Sequence, residues 1–445
     1  MIWVWMALSL AVTLFLLRGK NIKPHNLVWA FLPIDMYGIT IAGVTLKPAM
    51  LYSIILIAYA IISKKFTLKI TKAVLYTTVL LAISITISLF FRGNADIGID
   101  ITAYTLMFFT IVIAACVLSF IDSREDLKQI SDVMIATAVG FGIILLALYI
   151  LDHAGITLPA VRPEGSSSGS IIREYRNATN GELTRSYRMR GFNIDPNSSC
   201  MTFIVGLACL FGQWIKKGNA VKNLFFTFVI LGYIVVTSSR SALIICIFII
   251  IISVFRLFLS KAHSKRKVIF VGSVLFVLFL GAVFTVYDSK TFSYFYDNLI
   301  SGYKNRTGLT DEYGRFELWS QWLSLLNNSN WFCGVGFASM TQLVESHRDA
   351  HNTIIQILCS SGVPVGILYA FFFVSPLFYA IKRRINDKKN AYYLTNFTLA
   401  YLGILSMLLT VFNLASLYMI YTALLLYIIP GCLEQEEHLI ANKTI

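Results

Sequence analysis

The chain has 445 residues, of which 57% are hydrophobic and 13% charged, about half the charged share of a soluble domain. That much apolar surface excludes a single water-soluble enzyme domain, and at about 20 residues per crossing the length holds about 12 crossings with long loops to spare. The net charge of +14 fits the Lys and Arg that membrane proteins gather in cytoplasmic loops better than nucleic-acid binding, and no nucleic-acid partner is expected.

Apolar runs fall near 2–17, 49–63, 73–91, 101–121, 133–151, 198–215, 223–237, 241–259, 268–286, 363–381, 391–411 and 414–430. The first lacks a positive leader and a small-residue cleavage site, so it reads as a retained span. The run at 26–34 is short, contains Pro33 and is left as non-crossing. The fold expected is an all-α polytopic membrane protein of about 12 transmembrane helices. It forms a single integral membrane domain over 1–445 with two large loops, 152–196 and 287–350.

Alternate short loops differ sharply in charge. One set holds Lys64, Lys65, Lys69 and Lys72, Arg124 and Lys128, Lys216, Lys217 and Lys222, Lys261, Lys265, Arg266 and Lys267, and Lys382, Arg383, Arg384, Lys388 and Lys389. The other holds Arg92 and Arg240. The positive-inside rule then makes both termini cytoplasmic and puts both large loops on the outer face. Arg18, Lys20, Lys23 and Lys47 are the exceptions, falling on the outer side. A crossing by residues 26–45 would bring the first three inside and turn the amino terminus outward.

The first large loop carries Arg162, Arg173, Arg176, Arg185, Arg188 and Arg190, with a Gly- and Ser-rich stretch at Gly165 to Ser170 that reads as flexible. Arginine recognises phosphate through a planar fork, so two readings stand: a diphosphate ligand, or a solvated loop drawn to anionic head groups. Arg190 opens Arg190-Gly-Phe-Asn-Ile-Asp-Pro-Asn197, where Asp195 and Pro196 suit a helix start. Arg240 sits alone in Thr237-Ser-Ser-Arg-Ser241, either as a functional charge at a bundle edge or snorkelling to the interface. In the second loop Phe316, Trp319, Leu323 and Leu326 share one helical face, for the membrane surface or for packing on the bundle.

Of six histidines, His347 and His351 stand four apart before an apolar run. No HExxH and no third ligand accompany them, so they read as solvated loop residues or as a proton acceptor near neutral pH. The seven cysteines are scattered without a CxxC pair, so neither a disulfide framework nor a cysteine metal site is expected. Walker A and GxSxG motifs are missing, as is an Asp-x-Asp in the outer loops. No cofactor and no metal are expected.

Four pieces together resemble the O-antigen polymerase and O-antigen ligase superfamily: Arg190-Gly-Phe-x-x-Asp-Pro-Asn197; Ser239-Arg240-Ser241; Gly314-Arg315 with Trp319 and Gly334-Val-Gly336; and His351-Asn352 with Gly362-x-x-x-Gly366. They span roughly residues 190–370. The resemblance implies metal-independent glycosyl transfer at the periplasmic face of the bacterial inner membrane, from a glycan on undecaprenyl diphosphate. It implies His351 as the base and Arg190, Arg240 and Arg315 as groups that neutralise the diphosphate. Arg188, Asn197, His347 and Asn352 are the expected substrate-binding neighbours, and a chain-length regulator protein is a further expected partner. Attack opposite the leaving group inverts the anomeric centre, and no acidic pair points to retention.

Two large outer loops leave room for a glycan-specific acceptor site, which favours a polymerase acting on lipid-linked repeat units. A ligase that delivers the glycan to the lipid A core needs the same donor chemistry. A flippase for lipid-linked oligosaccharides would carry its arginines within spans and would not need His351.

Overall fold

A computed structural model describes residues 1–41, 44–92, 97–156, 158–161, 170–179, 182–193, 195–216, 220–259, 315–326, 330–337, 350–382, 388–409, 414 and 416–443. In chain order these form α1 (Ile2–Leu16), a 3-10 turn (Pro24–Leu27), α2 (Val28–Phe31), β1 (Ile39–Ile41), β2 (Val44–Leu46), α3 (Pro48–Ile62), α4 (Lys72–Arg92), α5 (Ile97–Leu118) and α6 (Arg124–His153). There follow β3 (Ile172–Thr179), β4 (Glu182–Met189), α7 (Pro196–Lys216), α8 (Ala220–Val236), α9 (Arg240–Leu259), α10 (Arg315–Ser324), α11 (Thr353–Ser361), α12 (Val363–Lys382), α13 (Lys388–Met407) and α14 (Leu417–Lys443).

Every expected apolar run falls on a helix except 268–286, which lies outside the described residues. Among the described residues five helices are long and apolar enough to cross a membrane: α4, α5, α6, α9 and α12. Four apolar helices are shorter: α1, α3, α8 and the Leu417–Pro430 part of α14.

The all-α expectation is corrected by two antiparallel hairpins, β1–β2 and β3–β4. The second occupies much of the 152–196 connection and pairs Ile172 with Met189 and Thr179 with Glu182. Its sequence signal is Asn180-Gly181 between strand-length segments, the residue pair that a two-residue hairpin turn favours.

The described residues group into two compact units. One comprises Met1–Ile22, Trp29–Met36 and Lys128–Arg306, the other Lys23–Val28, Tyr37–Leu127 and Thr307–Ile445. In the first, α7 is the central helix: Met201, Phe203, Ile204, Val205, Leu207, Cys209 and Leu210 are all buried. Apolar residues all round its circumference leave no side for solvent. It runs antiparallel to α6, with Gln213 Nε2 donating to Asp132 Oδ1 at 2.8 Å and Gly206 against Ala138. A Cβ at 206 would collide with that of Ala138, so glycine sets the closeness of the two helices.

α1 also runs antiparallel to α6. Lys20 Nζ pairs with Asp132 Oδ2 at 2.8 Å, Thr13 packs on Gly140, and Trp5 Nε1 donates to Pro159 O at 3.1 Å. The amino end of α1 therefore lies at the end of α6 that carries the 152–196 connection. This corrects the assignment of the amino terminus to the opposite side from that loop.

Residues 29–36 supply the return. Pro33 O accepts from Asn193 Nδ2 at 3.1 Å, the Met36 amide donates to Phe192 O at 3.2 Å, and Phe192 meets Phe141 edge-on. Gly191 lies against Leu145, 13 residues or about 20 Å along α6 from Asp132 at 1.5 Å per residue. Trp29, Ala30, Leu32 and Ile34 are buried on the way. The segment makes this passage without a helix of spanning length, which is why hydropathy alone overlooks it.

In the second unit α14 packs against α5, α12 and α13, and α12 against α4. Buried tyrosine hydroxyls find partners here: Tyr401 donates to Phe373 O at 2.6 Å, Tyr369 to Leu414 O at 3.1 Å, and Tyr421 meets Ser53 Oγ at 2.9 Å. A polar knot closes the start of α6. Asp126 accepts from Lys23 Nζ, Asn26 Nδ2 and Ser123 Oγ, and lies 3.2 Å from His25 Nε2. Burial works against the charged Asp126 carboxyl, but His25, Lys23 and Ser123 outweigh it and hold it well below the usual carboxylate range. Burial likewise opposes the charge on Lys23, and its contact with Asp126 outweighs that and raises its pKa.

Candidate active site

In the first unit, the hairpin delivers two buried arginines. Arg188 Nε donates to Thr237 O at 2.9 Å and Arg190 Nε to Ser170 O at 2.7 Å. The turn after Arg190 is tight: Gly191 has φ +59°, and a Cβ there would press on the Tyr233 hydroxyl. Asp195 then caps α7 as expected. Its Oδ1 accepts from the Asn197 amide at 2.7 Å and its Oδ2 from Ser198 Oγ at 2.6 Å, with Pro196 in the first turn, where a missing N–H costs nothing.

The Ser239-Arg240-Ser241 turn is joined to this loop. Ser239 Oγ donates to Asn197 Oδ1 at 2.7 Å and accepts from the Ala242 amide at 3.3 Å, so Ser239 caps α9. Ser238 is held at φ +50°, and Arg240 follows as an exposed residue in the first turn of α9. Two motifs whose bonded residues stand 42 apart thus form one hydrogen-bonded structure. Arg188 and Arg190 are 7% and 4% exposed, because the carbonyls of the hairpin base and of the Thr237 turn need donors. Arg173 is exposed, and Arg162 lies outside the described residues.

In the second unit, Arg315 opens α10 and is half-buried. Trp319 Nε1 donates to Ala350 O at 3.0 Å, and Cys359 Sγ contacts Trp322 O at 3.1 Å. Trp322, Ala350 and Cys359 form a buried cluster flanked by Trp319, Leu325, Leu326, Phe337 and Ile355. The expected stripe is corrected in part. Trp319 and Leu326 pack inward, whereas Phe316 and Leu323 are exposed. The packed face centres on Leu318 and Trp322, the two buried apolar side chains of α10.

His351 follows Ala350, exposed and at φ +48°. That left-handed conformation is disfavoured for a residue with a Cβ. Asn352 is buried, and its Oδ1 accepts from the amides of Ile354 and Ile355 at 3.1 and 3.2 Å. Asn352 therefore caps α11. His347 lies outside the described residues.

The glycine motifs of this unit meet each other. The amides of Val335 and Gly336 donate to the carbonyls of Cys359 and Ser360, at 2.9 and 2.8 Å. Gly334 and Gly362, at φ +70° and +91°, each lie so close to the other segment's backbone that a Cβ would collide. Arg92 Nη1 adds a bond to Ser360 O at 3.0 Å and pairs with Asp100, whose Oδ1 accepts from the Phe337 amide at 2.8 Å. In the sequence Arg92 counts only as one of two charges in its set of short loops and Asp100 carries no signal, since a single charge at a helix end makes no motif.

Five helices of spanning length and four shorter apolar ones among the described residues are the features of an integral membrane protein. Residues 225–370 match the family model described as O-Antigen ligase. That match covers about a third of the chain and supports its resemblance to the O-antigen ligase and polymerase superfamily. The matched stretch includes Arg240, Arg315, His351 and the glycine bracket; the Arg190 loop precedes it. No curated protein matches the chain.

Proposed function

We propose that the chain is a surface-polysaccharide polymerase of the bacterial inner membrane. It transfers a glycan from undecaprenyl diphosphate to a lipid-linked repeat unit at the periplasmic face, without a metal and with inversion. The observation that carries this reading is His351, exposed and fixed at φ +48° between Ala350 and the Asn352 cap. A base must be held where the acceptor hydroxyl arrives, and a positioned base contributes roughly 10²–10⁴-fold.

Arg240 and Arg315 neutralise the diphosphate as negative charge develops on it. Arg190 and Arg188 act from behind, holding the loop and the Ser239 turn in place. Asn197 and Asn352 position the starts of α7 and α11. His347 remains a neighbour on the acceptor side, and a chain-length regulator is the expected protein partner.

Ligation of the glycan to the lipid A core is the second reading, with which the matched family's description, O-Antigen ligase, is also consistent. The lipopolysaccharide ladder of a strain lacking the protein separates the two. Core carrying a single repeat unit supports the polymerase, core without any repeat unit supports the ligase, and an unchanged ladder removes both.

A further inference from the structure

α4 is two-faced. Val74, Thr77, Leu81, Ile85 and Ser88 are buried, whereas Leu75, Val79, Leu80, Ile83 and Ile87 are exposed. The exposed stripe is the surface that a spanning helix shows to acyl chains. From Lys72 to Arg92 the helix rises about 30 Å, the thickness of the hydrocarbon core. Its last residues before Arg92 are Phe90 and Phe91, 80% and 68% exposed.

The aromatic surface does not end there. Phe91 meets Phe332 edge-on at 6.4 Å, and Phe332 meets Trp331 at 5.6 Å. Trp331 is 50% exposed and Phe332 39%. These two belong to the segment after α10, and their backbone is pinned beneath them. Ser88 Oγ donates to Cys333 O at 2.9 Å, and the Val363 amide to Trp331 O at 2.7 Å. A rigid knuckle of the second large connection thus continues the lipid-facing stripe at the level where the helix turns polar.

We propose that Phe90, Phe91, Trp331 and Phe332 form a docking surface for the interfacial zone of a phospholipid bilayer, the boundary between acyl chains and head groups. Indole and phenyl rings favour that zone, and Trp331 brings an N–H for the wet side. The surface fixes the depth of the Gly334–Gly336 bracket, and with it the end of α11, at head-group level. This placement is independent of which glycan is transferred and to what.

The test uses the full-length protein in phosphatidylcholine vesicles carrying bromine either near the head group or near the chain end. The Trp331 signal is the fluorescence difference between wild type and Trp331→Phe, a substitution that keeps the ring. Bromine near the head group should quench that signal more than bromine near the chain end. Equal or stronger quenching from the chain end places Trp331 in the bilayer interior, and no quenching by either places it in water or under protein. Each of these results overturns the proposal.

Discussion

The Trp319 indole donates to the carbonyl of Ala350 at 3.0 Å, which ties the second turn of α10 to the residue that carries His351. One hydrogen bond thus joins the arginine end of α10 to the histidine turn. Trp319→Phe keeps the ring and removes the donor, leaving a buried carbonyl unsatisfied at a cost of about 1–3 kcal/mol. Polymer formation should fall while membrane insertion is retained. Transfer equal to wild type would detach α10 from the positioning of His351.

His351→Gly separates strain from chemistry. Glycine adopts φ > 0 without penalty, so the substitution should leave thermal stability in detergent unchanged or raise it by about 1 kcal/mol. Transfer should nonetheless drop by roughly 10²–10⁴-fold. Normal polymer length in cells carrying His351→Gly would end the base assignment.

The arginines should divide by burial. Arg240→Ala should lose about a hundredfold in transfer, close to 3 kcal/mol, at wild-type stability. Arg240→Lys should recover part of it, because lysine keeps the charge and loses the fork. Arg190→Ala orphans the Ser170 carbonyl and should lower the melting temperature as well, by about 1–3 kcal/mol of stability. Paired melting curves and donor-binding measurements on the purified variants decide this; an Arg190→Ala protein that melts like wild type contradicts its role in the loop.

The knot around Asp126 gives a pH signature. Its carboxyl is held below the usual range, so its stabilisation is present above about pH 3.9, the unfolded value, and is lost as pH falls through the folded pKa. Lys23 is raised, so its share holds below about 10.5 and is lost as pH rises through its folded pKa. The stability difference between wild type and Asp126→Asn should shrink in acid below about pH 4. A difference that grows in acid would reverse the assigned sign.

Single cysteines at Ile2 and Ser168, in a cysteine-free background, should react with an impermeant thiol reagent from the same side of the membrane. The Lys20–Asp132 and Trp5–Pro159 contacts require it. Labelling from opposite sides would restore the original placement of the amino terminus.

Hydropathy alone located the long apolar helices among the described residues, because a segment that crosses hydrocarbon must be apolar for its whole length and must satisfy its own backbone. The Asp195 cap with Pro196 was also legible, since a cap is local chemistry. The β3–β4 hairpin announced itself only in Asn180-Gly181, within a loop whose arginines drew attention to charge instead. Tertiary structure decided what local chemistry cannot. It turned α1 over, by pairing Lys20 with Asp132, and threaded residues 29–36 through the interior on hydrogen bonds to Phe192 and Asn193. It also sorted the arginines, burying Arg190 on Ser170 O and leaving Arg240 exposed. A guanidinium looks the same in sequence in either setting. Which carbonyls lie within its reach is fixed only when segments distant in the chain pack together.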